Sequence, residues 1–259
     1  MGADRGATAL GAERRRLILD RLRAEGKVLA AELSIEFGVS ADTIRRDLDE
    51  LAREGRLQRV HGGALPPPVV VGGYEVRRRR DTAAKAEIAR AAAGLAASGQ
   101  VIILDGGTTA LEVARNLAPE LRAMVVTTSP PVAVALAEHP SLEVTLVGGS
   151  LDKGALVTVG AAAVEALRGV RADLCYLGVC GLHPEVGITT TDLEERHAKR
   201  AMIDASARVV ALANADKLGT AGPYVVAPLT ELTHLVTERT APPATLAPYR
   251  ALGVEVVRA

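Results

Sequence analysis

Aromatic side chains are almost missing from this sequence. Of 259 residues only 2% are Phe, Tyr or Trp, with no Trp and a single Phe, Phe37. That scarcity excludes a surface that holds single-stranded nucleic acid by stacking bases on rings, and it leaves Ala, Val, Leu and Ile to pack the core. Cysteine is equally sparse. Cys175 and Cys180 stand alone in an apolar segment, too few for a disulfide framework or a cysteine metal site, so both are expected as buried free thiols in a reducing cytoplasm. No apolar run approaches the ~20 residues of a membrane span. The N-terminal MGADRGATALGAERRR has no continuous apolar stretch and does not read as a secretory signal. Gly6 also removes the myristoylation pattern that Met1-Gly2 begins. No internal repeat is detectable.

Net charge is absent too, but unevenly so. The chain carries 31 Lys+Arg and 31 Asp+Glu; residues 1–80 hold 16 basic against 12 acidic, leaving 15 against 19 for the remainder. A basic head on an acidic body suits a polyanion-binding module that does not adhere to nucleic acid everywhere. With 48% hydrophobic and 24% charged residues, the chain can bury ordinary globular cores, and its length allows more than one domain at ~100–200 residues each.

Periodicity divides the chain into a disordered leader at 1–12, a winged helix-turn-helix at 13–65, a linker at 66–80 and an α/β domain at 81–259. Leu17, Ile18 and Leu22 keep helical spacing from Glu13 to Glu25, and Gly26 ends that helix in a short polar turn. A helix over Ala30–Phe37 buries Leu33 and Phe37. Gly38 then permits a left-handed turn, and Ser40 caps a third helix, from Ala41 to about Glu54, whose buried face is Ile44, Leu48 and Leu51. Leu57–His61 alternates as a strand, and Gly62-Gly63 turns a hairpin.

In such a unit the recognition helix packs its apolar face inward and offers its N-terminal polar face to the major groove. Ser40, Asp42, Thr43, Arg45 and Arg46 fall there, and Arg grips guanine O6 and N7 bidentately. Arg56, Arg59 and His61 on the wing are placed for backbone or minor-groove contact. The plainer reading is a solvated helix laced by i,i+4 pairs such as Arg46 with Glu50. The agreement of helix lengths, turn, cap and basic hairpin favours DNA.

Pro66-Pro67-Pro68 and Val69–Gly73 break every periodic pattern, and Arg77–Arg80 reads as solvated surface able to brush DNA phosphates. Beyond Asp81, helices alternate with the β-rich runs Val101–Leu104, Met124–Thr127, Val144–Val147, Leu174–Gly178, Val209–Leu212, Leu235–Thr237 and Val254–Val257. Alternation of this kind predicts a mostly parallel α/β sheet. The loop Asp105-Gly106-Gly107-Thr108-Thr109 leaves a strand and opens a helix, aiming amides and hydroxyls at an anion; the alternative is a helix start with no ligand. Gly148-Gly149 follows another strand at the same end of the sheet, where ligands of open α/β sheets collect. Lys85, Lys199 and Lys217 read singly as surface, and together as compact cations around a phosphate.

The run VSADTIRRDLDELAREGRLQRVHGGA resembles the signature of the DeoR family of bacterial transcriptional regulators, with TIRRDL in the recognition helix and RVHGG in the wing. DGGTT, TLVGG, LGVCG, KRAMI and NADKLG are similar to pieces of that family's sensor domain, so the resemblance runs from about residue 10 to 240. It implies a body related in fold to ribose-5-phosphate isomerase and glucosamine-6-phosphate deaminase. It also implies a phosphorylated-sugar effector that releases the protein from operator DNA, held by Asp105 to Thr109 and Lys217 with Lys85 and Lys199 beside them. The chain departs from the family pattern at Thr127-Thr128-Ser129, where relatives usually read T-N-S, and at Asn214 and Asp216, where they carry an acid and a hydroxyl.

The rival reading is a sugar-phosphate isomerase or deaminase with a DNA-binding head. Such chemistry needs a positioned acid and base, and the segment Gly178-Val179-Cys180-Gly181 has no carboxylate; Asp192, Glu194 and Glu195 start a helix and favour its dipole. A constitutive architectural DNA binder has no use for the anion loop. The expectation is therefore a cytoplasmic, homo-oligomeric repressor of carbohydrate-metabolism genes, with no catalytic residue, metal site or cofactor.

Overall fold

A computed structural model of the chain describes residues 3–67 and 72–259, with side chains for all of these except 3–10, 23 and 24. The first helix, α1, spans Ala3–Glu25 and so runs through the expected disordered leader. Its Ala, Leu, Glu and Arg residues are strong helix formers, and neither Gly6 nor Gly11 is enough to stop it. Strand β1 (Val28–Leu29), helices α2 (Ala30–Phe37) and α3 (Ala41–Arg53), and strands β2 (Gln58–Val60) and β3 (Gly63–Leu65) complete the head. β3 pairs antiparallel with both β1 and β2, so the stretch after Gly26 that reads as a turn supplies a sheet edge.

Ile18, Leu22, Leu33, Ile44, Leu48 and Leu51 are buried in one cluster, with Phe37 only half-buried at its margin. Gly38 sits at φ 63°, in the left-handed conformation the turn needs. Ser40 Oγ accepts from the Thr43 amide at 3.2 Å and caps α3.

The body opens with α4 (Tyr74–Arg79) and α5 (Thr82–Ala93), then β4 (Val101–Leu104), α6 (Thr108–Asn116), β5 (Ala123–Thr127), α7 (Pro130–Leu136) and β6 (Leu142–Leu146). A hairpin of β7 (Ser150–Asp152) and β8 (Val157–Val159) leads to α8 (Ala161–Arg168) and β9 (Leu174–Gly178). β10 (Gly181–His183), β11 (Gly187–Thr190), α9 (Leu193–Asp204), β12 (Val209–Leu212) and β13 (Tyr224–Ala227) follow, and β14 (His234–Thr237), α10 (Pro243–Ala251) and β15 (Glu255–Arg258) close the chain.

The expected linker at 66–80 is shorter than its sequence suggests. Its residues 68–71 lie outside the described residues, and Tyr74–Arg79 is the helix α4. A helix of one and a half turns has little stability of its own. Here tertiary contacts fix it: Tyr74 is buried in the body core, its amide and the Arg77 guanidinium both donate to the Gly154 carbonyl, and Lys85 Nζ donates to the carbonyls of Arg77 and Arg80.

The main sheet has the order β15-β14-β12-β9-β4-β5-β6, with every neighbouring pair parallel. From β4 the chain steps outward through β5 and β6, then resumes on the other side at β9 and continues to β15. The direction of winding therefore changes between β4 and β9, and a crevice opens beyond the carboxyl ends of strands at such a point. Alternate residues feed two cores. Ile103 packs with Leu177, Met202 and Leu246 under α8–α10, whereas Ile102 and Leu104 pack with Ile88, Val113 and Val132 under α4–α7. The body is thus a three-layer α/β domain behind a winged helix-turn-helix.

Candidate nucleic-acid interface and effector pocket

On the head, Ser40, Asp42, Arg45 and Arg46 are exposed along the first turns of α3, and half-buried Thr43 holds its hydroxyl 2.9 Å from Ser40 Oγ. Arg45 lies 2.9 Å from Asp42, an exposed pair of small energetic weight. Among the described residues the Arg46 guanidinium has no hydrogen-bond or ion-pair partner; the alternative Arg46–Glu50 pair is not formed, and Arg15 takes Glu50 at 2.8 Å. On the wing, His61 is exposed and Arg56 lies 3.7 Å from Glu54. Arg59 is half-buried, 3.0 Å from Asp49 and donating to the Gly63 carbonyl at 3.1 Å. It braces the hairpin against α3 instead of standing free for a phosphate.

Asp47, to which the sequence reading gives no role, is only 4% exposed. Its carboxylate takes Arg14 Nε at 2.6 Å and Arg15 at 3.5 Å. A buried carboxylate needs such partners, and the bond ties the recognition helix to α1.

The body's site is built from three strand ends. After β4, Asp105-Gly106-Gly107 turns the chain into α6 within three residues. A Cβ on Gly106 would collide with Val157, and Gly107 adopts φ 100°, so both glycines are structural requirements of the turn. No side chain caps α6, and its first return bond is Leu111 N to Gly107 O at 3.0 Å. Its first residues, Thr108 and Thr109, border a cleft that Arg77, Cys180, Glu195, Lys199 and Lys217 also line.

Two lysines in this cleft differ in kind. Lys199 Nζ donates to Asp105 Oδ2 and to the Gly178 carbonyl at 2.9 Å, and lies 3.6 Å from Glu195. Burial alone would lower the Lys199 ammonium, but Asp105 and Glu195 outweigh it and hold the group above its usual range. Burial in turn pushes the Glu195 carboxyl upward, with Lys199 opposing. Lys217, in a short 3-10 turn after β12, is half-buried, and its ammonium has no hydrogen-bond or ion-pair partner among the described residues. Burial lowers its ammonium below the usual lysine range. A cation without a hydrogen-bonded partner that lines the same cleft as an open helix N-terminus makes a place for a compact anion.

A second, smaller cavity adjoins the first, sharing Arg77, Thr108 and Lys217, and bounded by Arg80, Asp81, Lys85, Asn214 and Asp216. It shows what becomes of the remaining sequence candidates. Lys85 reaches this cavity, but its ammonium is bonded to the last carbonyls of α4 and acts as a helix cap. Asp105 lies behind the loop, accepting from Gly106 N at 2.7 Å and Gly178 N at 2.9 Å, and orients Lys199. Gly148 and Gly149 line neither cavity; both are exposed, and a Cβ on Gly149 would meet the Val159 carbonyl. Gly106, Gly107, Thr108, Thr109, Lys199 and Lys217 are brought together.

Three groups at the cleft escape the sequence reading. Arg77 reads as surface, and its only signal is the position of its basic run just ahead of the helix bearing Lys85. Glu195 reads as a dipole-favouring helix start, but Asp192 performs the capping, accepting from Glu195 N at 2.8 Å, and Glu195 turns into the cleft. Cys180, expected buried, is half-buried and borders the cleft, while Cys175 is buried and its thiol is pushed up by burial. Among the described residues no group of three or more His, Cys, Asp or Glu side chains could hold a metal ion, and no helix is long and apolar enough to cross a membrane.

Comparison with known proteins places both regions. Residues 14–67 match the DeoR-like helix-turn-helix domain, and residues 80–239 match the DeoR C terminal sensor domain. The chain is 35% identical to the HTH-type transcriptional regulator GlpR of Haloferax volcanii, over 96% of this chain and 98% of that protein. It is 33% identical to the HTH-type transcriptional repressor GlcR of Bacillus subtilis, over 88% of each. It is 32% identical to the glycerol-3-phosphate regulon repressor of Escherichia coli, over 78% of this chain and 81% of that protein.

Proposed function

The chain belongs to the DeoR family of transcriptional regulators, and on that premise we propose that it represses carbohydrate-metabolism genes and leaves its operator when the sensor binds a phosphorylated sugar or polyol. The regulator reading displaces the isomerase or deaminase alternative, since relatives covered almost end to end carry regulator or repressor names. The observation that carries the effector class is the pairing of an uncapped α6 N-terminus with the unpartnered ammonium of Lys217. Amide donors and one cation at close range are what a phosphate monoester needs.

Arg45 and Arg46 from α3 enter the major groove, with Arg56 and His61 on the flanking backbone. The protein works in the cytoplasm as a homo-oligomer that sets two or more heads on half-sites. The ligand prefers the assembly in which those heads are misplaced, and operator affinity falls by that difference. Head and sensor divide near residues 65 and 72, with α4 on the sensor side.

Fluorescence anisotropy of the purified protein on its own upstream DNA, with and without a panel of sugar phosphates, tests this reading. Specific binding weakened by at least one compound is the expected result. Specific binding indifferent to the whole panel would overturn the effector class and leave only the regulator.

A further inference from the structure

The two edges of the main sheet are built differently. At one edge, β15 carries Glu255 and Arg258 exposed at its ends, and edge charges of this kind discourage pairing with another chain. At the other edge, β6 reads Leu142-Glu143-Val144-Thr145-Leu146, with a single charge and neither Pro nor Lys. It pairs with β5 in unbroken register over all five residues, so no bulge turns it away. Leu142 and Val144 are only partly buried against the core under α7, and Leu146 is 47% exposed. α7 packs beside β6 and has no polar residue from Pro130 to Ala137; its Val134 is 75% exposed. An apolar helix beside a bare strand edge marks a surface built to be covered.

The geometry of the edge selects what covers it. Val147 N donates to the Thr127 carbonyl at 2.8 Å, so by alternation the backbone groups of Glu143 and Thr145 also face β5. Those of Leu142, Val144 and Leu146 face outward, with no strand beside them among the described residues. An antiparallel partner must set outward-facing residues opposite one another. A second β6 does this about a two-fold axis through Val144. Val144 then meets its own copy, and Leu142 of each chain meets Leu146 of the other. Glu143 falls opposite Thr145, so no like charges are set against each other. The axis stands perpendicular to the sheet, which keeps both copies of α7 on the face where Leu146 is exposed. Self-complementarity of this kind is what an isologous contact requires.

We propose that β6 and α7 form the surface on which two copies of this chain join, β6 pairing with β6 into one sheet of fourteen strands, seven from each. This rests on the homo-oligomer reading above and gives that oligomer one of its interfaces.

Sedimentation equilibrium of the full-length protein without DNA, over a concentration series, tests it. The native chain self-associates. Thr145 is exposed, so its replacement leaves the core of the monomer intact. Thr145→Glu sets two like-charge pairs against Glu143 across the axis and weakens association about tenfold, whereas Thr145→Lys makes two opposite-charge pairs and tightens it. Glu143→Lys combined with Thr145→Glu restores association. Val144→Pro removes the outward amide at the axis, spares the ladder to β5 and lowers the stoichiometry.

A native chain that self-associates equally well as Thr145→Glu, Thr145→Lys and Val144→Pro overturns this surface and leaves the oligomer reading standing. A double variant as weak as Thr145→Glu alone overturns the two-fold pairing. These charge comparisons read a change of sign, which a variant that merely misfolds does not produce. A native chain that stays monomeric throughout overturns the oligomer reading, and this interface with it.

Discussion

The head and the body carry their ligand-facing charges in opposite ways. On the head, Arg45, Arg46 and Arg56 stand in water within a short stretch of chain. In the body, Lys217 and Lys199 sit in a cleft whose walls come from α4, the loop after β4, α6, α9 and the ends of β9 and β12. A long polyanion is read by many solvated contacts, each modest and screened by salt. A small anion is held by few contacts, so those must be dehydrated and set in place beforehand. Both regions also use a buried aspartate to hold cations: Asp47 with Arg14 and Arg15 behind the recognition face, and Asp105 with Lys199 on the wall of the cleft. The first clamp reaches water through its arginines, 17% and 22% exposed, whereas the second is sealed at 6% and 3%.

That contrast sets the scale of several mutations. Asp105→Ala strands the Lys199 charge and should cost about 3–5 kcal/mol in urea unfolding; Asp105→Ala with Lys199→Met should recover most of it, and a single-variant loss below about 1 kcal/mol would erase the difference between the clamps. Lys217→Met should leave operator affinity intact, remove the response to effector and weaken phosphate binding by about 1.5–3 kcal/mol, as charged hydrogen bonds do. Retained induction would take Lys217 out of the site. Asp47→Ala should destabilise the head by about 1–3 kcal/mol, less than the sealed clamp, because its arginines can turn to solvent. Arg46→Ala should lower operator affinity by about 1–3 kcal/mol and relax specificity at one base pair with no change in unfolding midpoint; unchanged affinity would mean another face of α3 reads DNA.

The smallest effect concerns pH. Burial lowers the Lys217 ammonium, and an anion is bound by the protonated form. Phosphate affinity should therefore weaken as pH rises through that lowered value, earlier than an unperturbed lysine would dictate, and Lys217→Met should flatten the profile. A profile flat in the native protein would show that α6 alone holds the anion.

The helix-turn-helix of the head, α2 and α3, was legible almost to the residue because its signals are local. Gly38 and Ser40 lie next to the helices they end and begin, and the α2 and α3 boundaries follow from them. The seven parallel strands were legible for the same reason, each being a run of Val, Ile and Leu between helices. What stayed hidden depends on partners far along the chain. β1, β7, β8 and β10 are two or three residues long and exist through their pairing. α4 exists because Tyr74 finds a core and Lys85 finds its carbonyls. The pocket divides likewise: the β4–α6 loop announces itself by its glycines, while Arg77 and Glu195 enter only through tertiary placement, and Lys85 looks like a phosphate ligand until its cap is seen.

α4 is the first element of the body described after the head, and Arg77 on it shares both cavities with Lys217 at the end of a central strand. On the reading proposed above, a molecule lodged there would bridge α4 to the end of β12 and act as a removable rivet between two distant stretches of the body. The entropy of closing such a loop grows only slowly with its length, so the strength of the rivet is set by its local grip and hardly by the long stretch of chain it spans.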